Sequence, residues 1–248
     1  MSKPPTPKPQ VPQIFDRKAA AAKWARARAL QSGQDAASYL YTTIAQDIAD
    51  RLDFMRFEAE TSLIMGDETG GLNATTRAQL GDFDVEVPGS FEQYDLIAHI
   101  LGLGTVNDLP GSLIHARNGL KSGGLYIAAF PGVGSLPALR QIALQADGER
   151  PAARMHPLVD NRAGTALLER AGFSRKVVDS FALNVRFSSL HQLISDLRDH
   201  GLTRSLKTEV PPVTRDWLRR AEAAFDSLRE EDGKVTETFN ILVLTGWR

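Results

Sequence analysis

Two helices are predicted at the start of the chain from the spacing of apolar side chains. In the stretch DAASYLYTTIAQDIADRLDFM, four aliphatic residues recur every four positions and share one helix face: Leu40, Ile44, Ile48 and Leu52. The preceding stretch, IFDRKAAAAKWARARAL, is rich in residues that favour helix, and Asp16 lies near its start. We therefore expect a helical extension over 14–57 and a core over 58–248, which together form a single domain.

From residue 58 onward, short apolar runs alternate with helical patterns. Strands are predicted over 94–101 (YDLIAHIL), 124–130 (GLYIAAF), 176–187 and 240–247 (NILVLTGW). Helices are predicted between them over 109–121, 160–173, 188–201 and 214–230. This alternation predicts an α/β fold with a doubly wound, mostly parallel sheet.

One apolar run leads directly into glycines and acids, in the stretch SLIMGDETGG. A strand that enters a nucleotide- or phosphate-binding turn has this texture, because glycine lets backbone amides approach a ligand closely. The candidate cofactor-binding residues in the turn are Gly66, Asp67, Glu68 and Gly70. The same pattern is compatible with an ordinary turn. The stretch alone does not distinguish a cofactor-binding turn from an ordinary one, and the surrounding sequence is needed.

Composition and charge exclude several kinds of catalytic and binding site. The chain has 248 residues, a net charge of −1 and no cysteine, so thiolate catalysis and cysteine-ligated metal sites are excluded. The balanced charge does not favour nucleic acid, and no apolar run has the length of a membrane span. The five histidines lack paired ligand spacing, and no metal site is predicted. The proline-rich residues 1–13 suggest an extended tail of a cytoplasmic protein, without a secretory signal.

Several segments together resemble class I S-adenosylmethionine-dependent methyltransferases. The closer resemblance is to the branch of the mitochondrial complex I assembly factor that hydroxylates an arginine, and its alphaproteobacterial relatives. It is carried by IFDR (14–17), YDLI and VNDLP (94–97 and 106–110), GLKSGGLYIAAF (119–130), LLERAGF (167–173), and the C-terminal Asp196-Leu197-Arg198, Asp232-Gly233, Thr238-Phe239 and Gly246-Trp247.

This resemblance implies a Rossmann-like sheet with an antiparallel C-terminal strand and S-adenosylmethionine as cofactor. It also implies a protein partner, either a related methyltransferase with an intact cofactor loop or a subunit of a respiratory complex. Such a partner would hold a cytoplasmic protein at the membrane periphery without insertion. In this fold an acid at the end of strand two holds the ribose hydroxyls of the cofactor.

The chain departs from the family at the cofactor loop. Against the family pattern Asp-Leu-Gly-Cys-Gly-x-Gly it keeps Gly66 and Gly70, but has Ile64 for the acid, Asp67 for the cysteine and Glu68 for the middle glycine. A glutamate there adds bulk and a negative charge beside the expected cofactor carboxylate, which disfavours binding.

The strand 2–3 region is also short. Gly66 of the loop and Asp95 of the next strand are only 29 positions apart, where two strand–helix units of roughly 30 residues each are expected. We predict one remaining strand over 83–87, and nothing in this interval reads as a strand two that ends in a ribose acid. Which of strands two and three is lost stays open. Asp82 and Asp84 are the only nearby candidates for the ribose acid.

Further departures concern the expected pocket. The family carries a His-Trp pair where this chain has Gly104 and Thr105, and a Gly-Asp-Thr turn where it has GVGSL. We take Ser135 and His156 as candidate pocket residues and His99 as a candidate cofactor-binding residue. The basic residues Lys18, Lys23, Arg26 and Arg28 are interpreted as a solvated helix face.

Two functions remain open at this point. The first is a non-catalytic or weakly active methyltransferase-fold protein that works through a partner, since its loop, strand-two region and pocket depart together. The second is an active methyltransferase, or a hydroxylase-like relative, that acts on a protein or a small metabolite. No catalytic residue is identified.

Overall fold

A six-stranded sheet organises the chain in the computed structural model, which describes residues 12–79 and 91–248. The sheet order is β2-β1-β3-β4-β6-β5. Strands β1 to β4 are parallel neighbours, and β6 runs antiparallel to both β4 and β5. The strands are β1 Ser62–Met65, β2 Thr76–Ala78, β3 Tyr94–Ile100, β4 Leu120–Pro131, β5 Lys176–Phe187 and β6 Val235–Trp247. The predicted mostly parallel sheet with an antiparallel C-terminal strand is confirmed.

Seven helices flank this sheet in the described ranges, and a short 3₁₀ turn covers Gly102–Thr105. Asp16, Asp160 and Ser189 cap their helices through the side chain, because each accepts a hydrogen bond from an amide of the first turn. The helices are α1 Arg17–Gln31, α2 Tyr39–Met55, α3 Leu109–Gly119, α4 Pro137–Asp147, α5 Asn161–Arg170, α6 Leu190–Asp199 and α7 Arg215–Asp226.

The two N-terminal helices share one hydrophobic core with the sheet. Leu40, Ile44 and Ile48 of α2 are fully buried, as their four-residue spacing predicts, and Trp24 of α1 joins the same cluster. That cluster also contains the central strands, whose near-continuous apolar runs are typical of strands covered on both faces. No helix in the described ranges is both long and apolar enough to cross a lipid bilayer.

The connection after β1 corrects one expectation. We expected one remaining strand in this interval, over 83–87, but β2 at Thr76–Ala78 pairs in parallel with β1. It was missed because it is a three-residue edge strand with two exposed positions, and therefore lacks an apolar run. The strand predicted over 83–87, with Asp82 and Asp84, lies outside the described residues.

No helix joins β1 to β2. The link is only residues 66–75, shorter than the dozen or more residues that a crossover between parallel strands usually takes. Reciprocal hydrogen bonds between Ser62 and Thr75 hold the end of this link against β1. The amide of Ser62 donates to the Thr75 hydroxyl at 2.7 Å, and the amide of Thr75 donates to the Ser62 hydroxyl at 3.0 Å. The usual strand–loop–helix cofactor unit is thus replaced by a strand–loop–strand unit.

Candidate cofactor loop and adjoining cavity

The turn after β1 keeps two glycines in a backbone conformation that suits glycine. Gly66 has φ 77° and Gly70 has φ 72°, both in the left-handed region. The amide of Gly66 is already engaged, since it donates to the carbonyl of Ala78 in β2 at 3.3 Å. The retained glycines therefore shape the turn, and one of their amides holds the neighbouring strand.

The carboxylate of Asp67 fills the inside of this turn. Its Oδ1 accepts hydrogen bonds from the Thr69 hydroxyl at 3.0 Å and from the Gly71 amide at 3.3 Å. Its Oδ2 accepts from the Leu72 amide at 3.0 Å and from a guanidinium nitrogen of Arg77 at 3.0 Å. The Asp67 side chain has 0% exposure. Amides that could receive a ligand anion are thus occupied by an anion of the chain itself.

These bonds set the charge of Asp67. Burial raises the pKa of its carboxyl group, but the hydrogen bonds from Leu72, Arg77, Thr69 and Gly71 outweigh that effect and hold the pKa below its ordinary value. Asp67 is therefore ionised at neutral pH and stabilises the turn as a permanent internal acceptor.

Helix α2 closes the loop from the other side. A Cβ added at Gly71 would lie 2.9 Å from the Cβ of Ala45. The glycine at this position is thus required for close packing of the loop against α2. In a cofactor-binding loop, the missing side chain of such a glycine instead lets the ligand approach the backbone.

Glu68, in place of the middle glycine of the family loop, is half-buried. Burial raises the pKa of its carboxyl group, Arg28 of α1 opposes the shift, and Asp67 reinforces it. Glu68 also acts electrostatically on the buried Tyr41 of α2. Its carboxylate is therefore within electrostatic range of both N-terminal helices.

The tip of the turn retains open donors. Within the described residues, the amides of Asp67, Glu68, Thr69 and Gly70 donate no hydrogen bond, and Thr69 and Gly70 are exposed. No helix begins behind them, so a helix dipole does not reinforce these amides as it does in dinucleotide-binding turns.

The other two candidate cofactor residues lie apart from this turn. Asp84 is outside the described residues. Strand β2 ends at Ala78 and Gln79 is the last described residue after it, and neither is an acid. His99 lies within β3, in register with Met65 and with Ala128 of the adjoining strands, and is 2% exposed. Burial lowers the pKa of His99 to about 3, so its imidazole is neutral. A cofactor role for either residue stays a prediction.

A cavity of about 440 Å³ opens beyond the ends of β3 and β4. Both candidate pocket residues, Ser135 and His156, line it, as do Gly104 and Thr105. A Cβ added at Gly104 would meet only a ring carbon of Phe130, at 3.9 Å, so the side of the cavity at this glycine is open. The resembled family carries a His-Trp pair at Gly104 and Thr105. At Gly104 this chain therefore has open space where that family has a ring.

Ser135 and His156 both hold the scaffold together. The hydroxyl of Ser135 donates to the carbonyl of Asn240 at 3.0 Å and accepts from the Asn240 amide at 2.9 Å. The Nε2 atom of His156 accepts from the Ser205 amide at 2.8 Å, and its ring forms a T-shaped pair with the ring of Phe15. Burial, followed by Lys23 and Arg204, lowers the pKa of His156 to about 4. Direct contact of either residue with a ligand stays a prediction.

A group of cations in the cavity wall was not predicted from the sequence. They come from α1, α4, α6 and two loops: Lys23, Arg26, Arg140, Arg154, Arg198 and Arg204. The interpretation of the α1 cations as a solvated face is wrong for Lys23 and Arg28, which are half-buried, while Arg26 is exposed at the cavity rim. Across residues 12–79 and 91–248, no three histidine or carboxylate side chains are grouped as metal ligands.

Known proteins share both the sequence pattern and the fold. No family model matches the sequence. The mouse and human proteins named arginine-hydroxylase NDUFAF5, mitochondrial, are each 30% identical over 166 residues, which is 65% of this chain and 48% of those proteins. The chain thus spans about half the length of these curated relatives. Malonyl-[acyl-carrier protein] O-methyltransferase 1 of Coxiella burnetii is 26% identical over 224 residues, or 80% of this chain and 77% of the relative.

The fold has solved counterparts as well. A crystal structure of a candidate methyltransferase from Bacillus halodurans aligns with a TM-score of 0.51 and 12% identity, covering 82% of this chain and 98% of that one. At that identity the similarity shows the fold alone. The chain is therefore a homologue of the arginine hydroxylase NDUFAF5 and of bacterial methyltransferases, and it has the Rossmann-like fold of the class I S-adenosylmethionine-dependent methyltransferases.

Proposed function

We propose that this chain is a methyltransferase-fold protein whose S-adenosylmethionine loop is degenerate, and that it acts without methyl transfer, through a protein partner. The observation that carries the proposal is the position of Asp67, whose carboxylate occupies the amides of Gly71 and Leu72 and the guanidinium of Arg77. A cofactor carboxylate would compete with an anion that is covalently part of the loop.

Several features that would bind the cofactor are missing from the loop at the same time. The middle glycine is replaced by Glu68, and the helix that normally follows the loop is replaced by β2. A polar interaction with a bound ligand contributes roughly 1–3 kcal/mol, and each 1.4 kcal/mol changes affinity about tenfold. Without two or three such interactions, cofactor binding is weaker by orders of magnitude.

The partner is the second part of the proposal. The resemblance to a family with an assembly role supports it, and two partner classes fit: a related methyltransferase with an intact cofactor loop, or a respiratory-complex subunit that would hold the protein at the membrane periphery. Affinity capture from the native cell, followed by mass spectrometry, tests it. Recovery of a member of either class in stoichiometric amount supports the proposal, and its absence from repeated captures counts against it.

An active enzyme is the second candidate function, because one observation favours it. The open amides at the exposed tip of the turn and the retained conformations of Gly66 and Gly70 leave a partial binding surface. On this alternative the protein transfers a methyl group, or carries out a related hydroxylation, on a protein or a small metabolite.

Calorimetric titration distinguishes the two candidates. The full chain and the Glu68→Gly variant are each titrated with S-adenosylmethionine and with S-adenosylhomocysteine, and an intact class I methyltransferase serves as the positive control. We expect no saturable heat from the wild-type chain at about millimolar ligand, the range in which only weak binding persists.

Each outcome has a distinct meaning. Binding by the variant alone supports a degenerate loop in which Glu68 is the main obstacle. Absence of binding by both proteins supports a loop that is blocked by Asp67 and by the missing helix. Saturable micromolar binding by the wild-type chain overturns the proposal and favours the enzyme.

A further inference from the structure

The cavity beyond β3 and β4 carries an unbalanced positive charge. Six cations line it, and none of its lining residues is an acid. In the part of the chain that the structure describes, only Arg154 of these six has an acidic partner: its Nε lies 2.7 Å from a carboxylate oxygen of Asp147. Among the described residues, no ion pair involves Lys23, Arg26, Arg140, Arg198 or Arg204.

The inner cations are held by neutral groups. The Nζ atom of Lys23 donates to the Thr203 hydroxyl at 3.2 Å. Arg204 donates to the backbone carbonyls of Ala153 at 3.2 Å and Leu206 at 3.3 Å. These bonds fix the positions of the cations and leave their charge uncompensated.

The cations also repel one another. Burial lowers the pKa of Lys23, and the positive charges of Arg204, Arg26 and Arg198 lower it further. Burial and Arg154 lower the pKa of Arg204 in the same way. A bound anion would relieve this repulsion, and a bound cation would increase it.

The remaining wall of the cavity is apolar. Leu101, Leu139, Leu158 and Leu197 contribute aliphatic surface, and the indole of Trp217 lies beneath the guanidinium of Arg154, which is 4.7 Å from the ring centroid. A volume of about 440 Å³ lies within the range of small-molecule pockets, roughly 300–1,000 Å³. An apolar wall and a cationic rim together select an amphiphile.

We propose that this cavity binds a small anionic amphiphile, a carboxylate or phosphate monoester that carries an apolar body. The anionic group would lie among Lys23, Arg198 and Arg204, and the apolar body would lie along the leucines. This inference goes beyond the proposed function and is independent of it, because the cavity shares no lining residue with the loop at 66–72. A negative result for the cavity therefore leaves the proposal about the cofactor loop unaffected, and the reverse also holds.

Probes with one common tail test the chemistry. The full chain is titrated with octyl phosphate, octanoate, octanol and octylamine, and with inorganic phosphate, while tryptophan fluorescence and heat are recorded. We expect the two octyl anions to bind at least about tenfold tighter than octanol, which corresponds to about 1.4 kcal/mol, and octylamine to bind no tighter than octanol. Added salt should weaken binding of the anions.

Two variants and one matched control locate the site. Lys23→Gln and Arg198→Gln each remove a cavity cation that has no acidic partner, so each should weaken octanoate and octyl phosphate several-fold. Lys18→Gln changes an exposed residue of the same helix α1 that does not line the cavity, and it should leave affinity unchanged. Arg204 is kept because its hydrogen bonds hold the backbone.

Four results would overturn the proposal. The first is that no octyl probe binds, and the second is that octanol or octylamine binds as tightly as octanoate. The third is that inorganic phosphate binds as tightly as octyl phosphate, which would mean that the apolar wall plays no part. The fourth is that Lys18→Gln weakens binding as much as Lys23→Gln, which would place the anions elsewhere on the surface.

Discussion

The carboxylate of Asp67 and the guanidinium of Arg77 lie 3.0 Å apart across the connection from β1 to β2. The side chain of Asp67 is fully buried and that of Arg77 is partly exposed, so the pair joins the inside of the loop to the edge strand β2. Arg77 also donates to the carbonyl of Leu72. The pair therefore ties strand and loop together without a ligand.

Replacement of Asp67 by asparagine tests this arrangement. The variant keeps the shape of the side chain but loses the negative charge and one acceptor, so the amides of Gly71 and Leu72 and the Arg77 guanidinium are left incompletely paired. We expect the free energy of unfolding to fall by about 1–3 kcal/mol. Urea unfolding followed by circular dichroism at neutral pH measures the change.

The exposed Asp53→Asn on α2 is the matched control and should change stability by less than about 0.5 kcal/mol. Acid provides a second check. Since the pKa of Asp67 is lowered in the folded protein, its contribution is present at neutral pH and is lost as pH falls through that lowered value. Equal stability of Asp67→Asn and wild type would show that the carboxylate does not hold the loop.

Residues whose environment is set locally were predictable. The helix face of Leu40, Ile44 and Ile48 and the caps Asp16 and Asp160 follow from spacing and from the chemistry of the first helical turn. The central strands follow from their apolar runs, because a strand covered on both faces has no polar alternation. The overall α/β order therefore follows from local rules.

Features that depend on distant segments were not predictable. Strand β2 is short and exposed, and helix α4 begins after Leu136 in a left-handed conformation, without a side-chain cap. Asp67 could be recognised as a departure from the family loop, but its bond to Arg77 depends on how the turn folds back. The cavity cations extend from Lys23 to Arg204, so their convergence exists only in the folded chain.

A second prediction concerns the contact between Gly201 and Trp24. Gly201 follows α6 with φ 70°, and a Cβ there would lie 2.5 Å from Cζ3 of Trp24, a fully packed residue of α1. Alanine would introduce both a left-handed backbone penalty of about 1–2 kcal/mol and an overpacking penalty of about 1–3 kcal/mol. We expect Gly201→Ala to lower the thermal midpoint markedly, as measured by scanning calorimetry.

Gly123→Ala separates the two penalties. Gly123 has φ 78°, but a Cβ there would meet no atom within 4 Å, so this variant carries only the backbone penalty. The difference between the two variants therefore measures the contact with Trp24. If both variants lose the same stability, the close packing of α1 against the end of α6 contributes nothing.

The third prediction rests on His200, which joins α6 to α2 in the core. Its Nε2 accepts from the Leu40 amide at 3.3 Å, and its Nδ1 lies 2.7 Å from the carbonyl oxygen of Asp196. The first bond requires an unprotonated Nε2. Burial lowers the pKa of His200 to about 4, against the opposing effects of the Asp196 carbonyl and the Asp199 charge. The folded protein therefore holds this imidazole neutral.

Stability should consequently decrease as the solution is acidified from about pH 6.5 towards about pH 4, because the unfolded chain binds the proton that folded His200 refuses. The pKa values of His156 and His99 are also lowered, so both act in the same direction. Each unit of lowered pKa corresponds to about 1.4 kcal/mol.

His200→Gln, whose amide oxygen can still accept from Leu40, should flatten the decrease in urea midpoints between these pH values. The exposed His191→Gln should leave the decrease unchanged. An unchanged decrease in His200→Gln would mean that His200 does not contribute to the acid sensitivity, whereas a flattened one ties part of that sensitivity to the packing of α6 on α2.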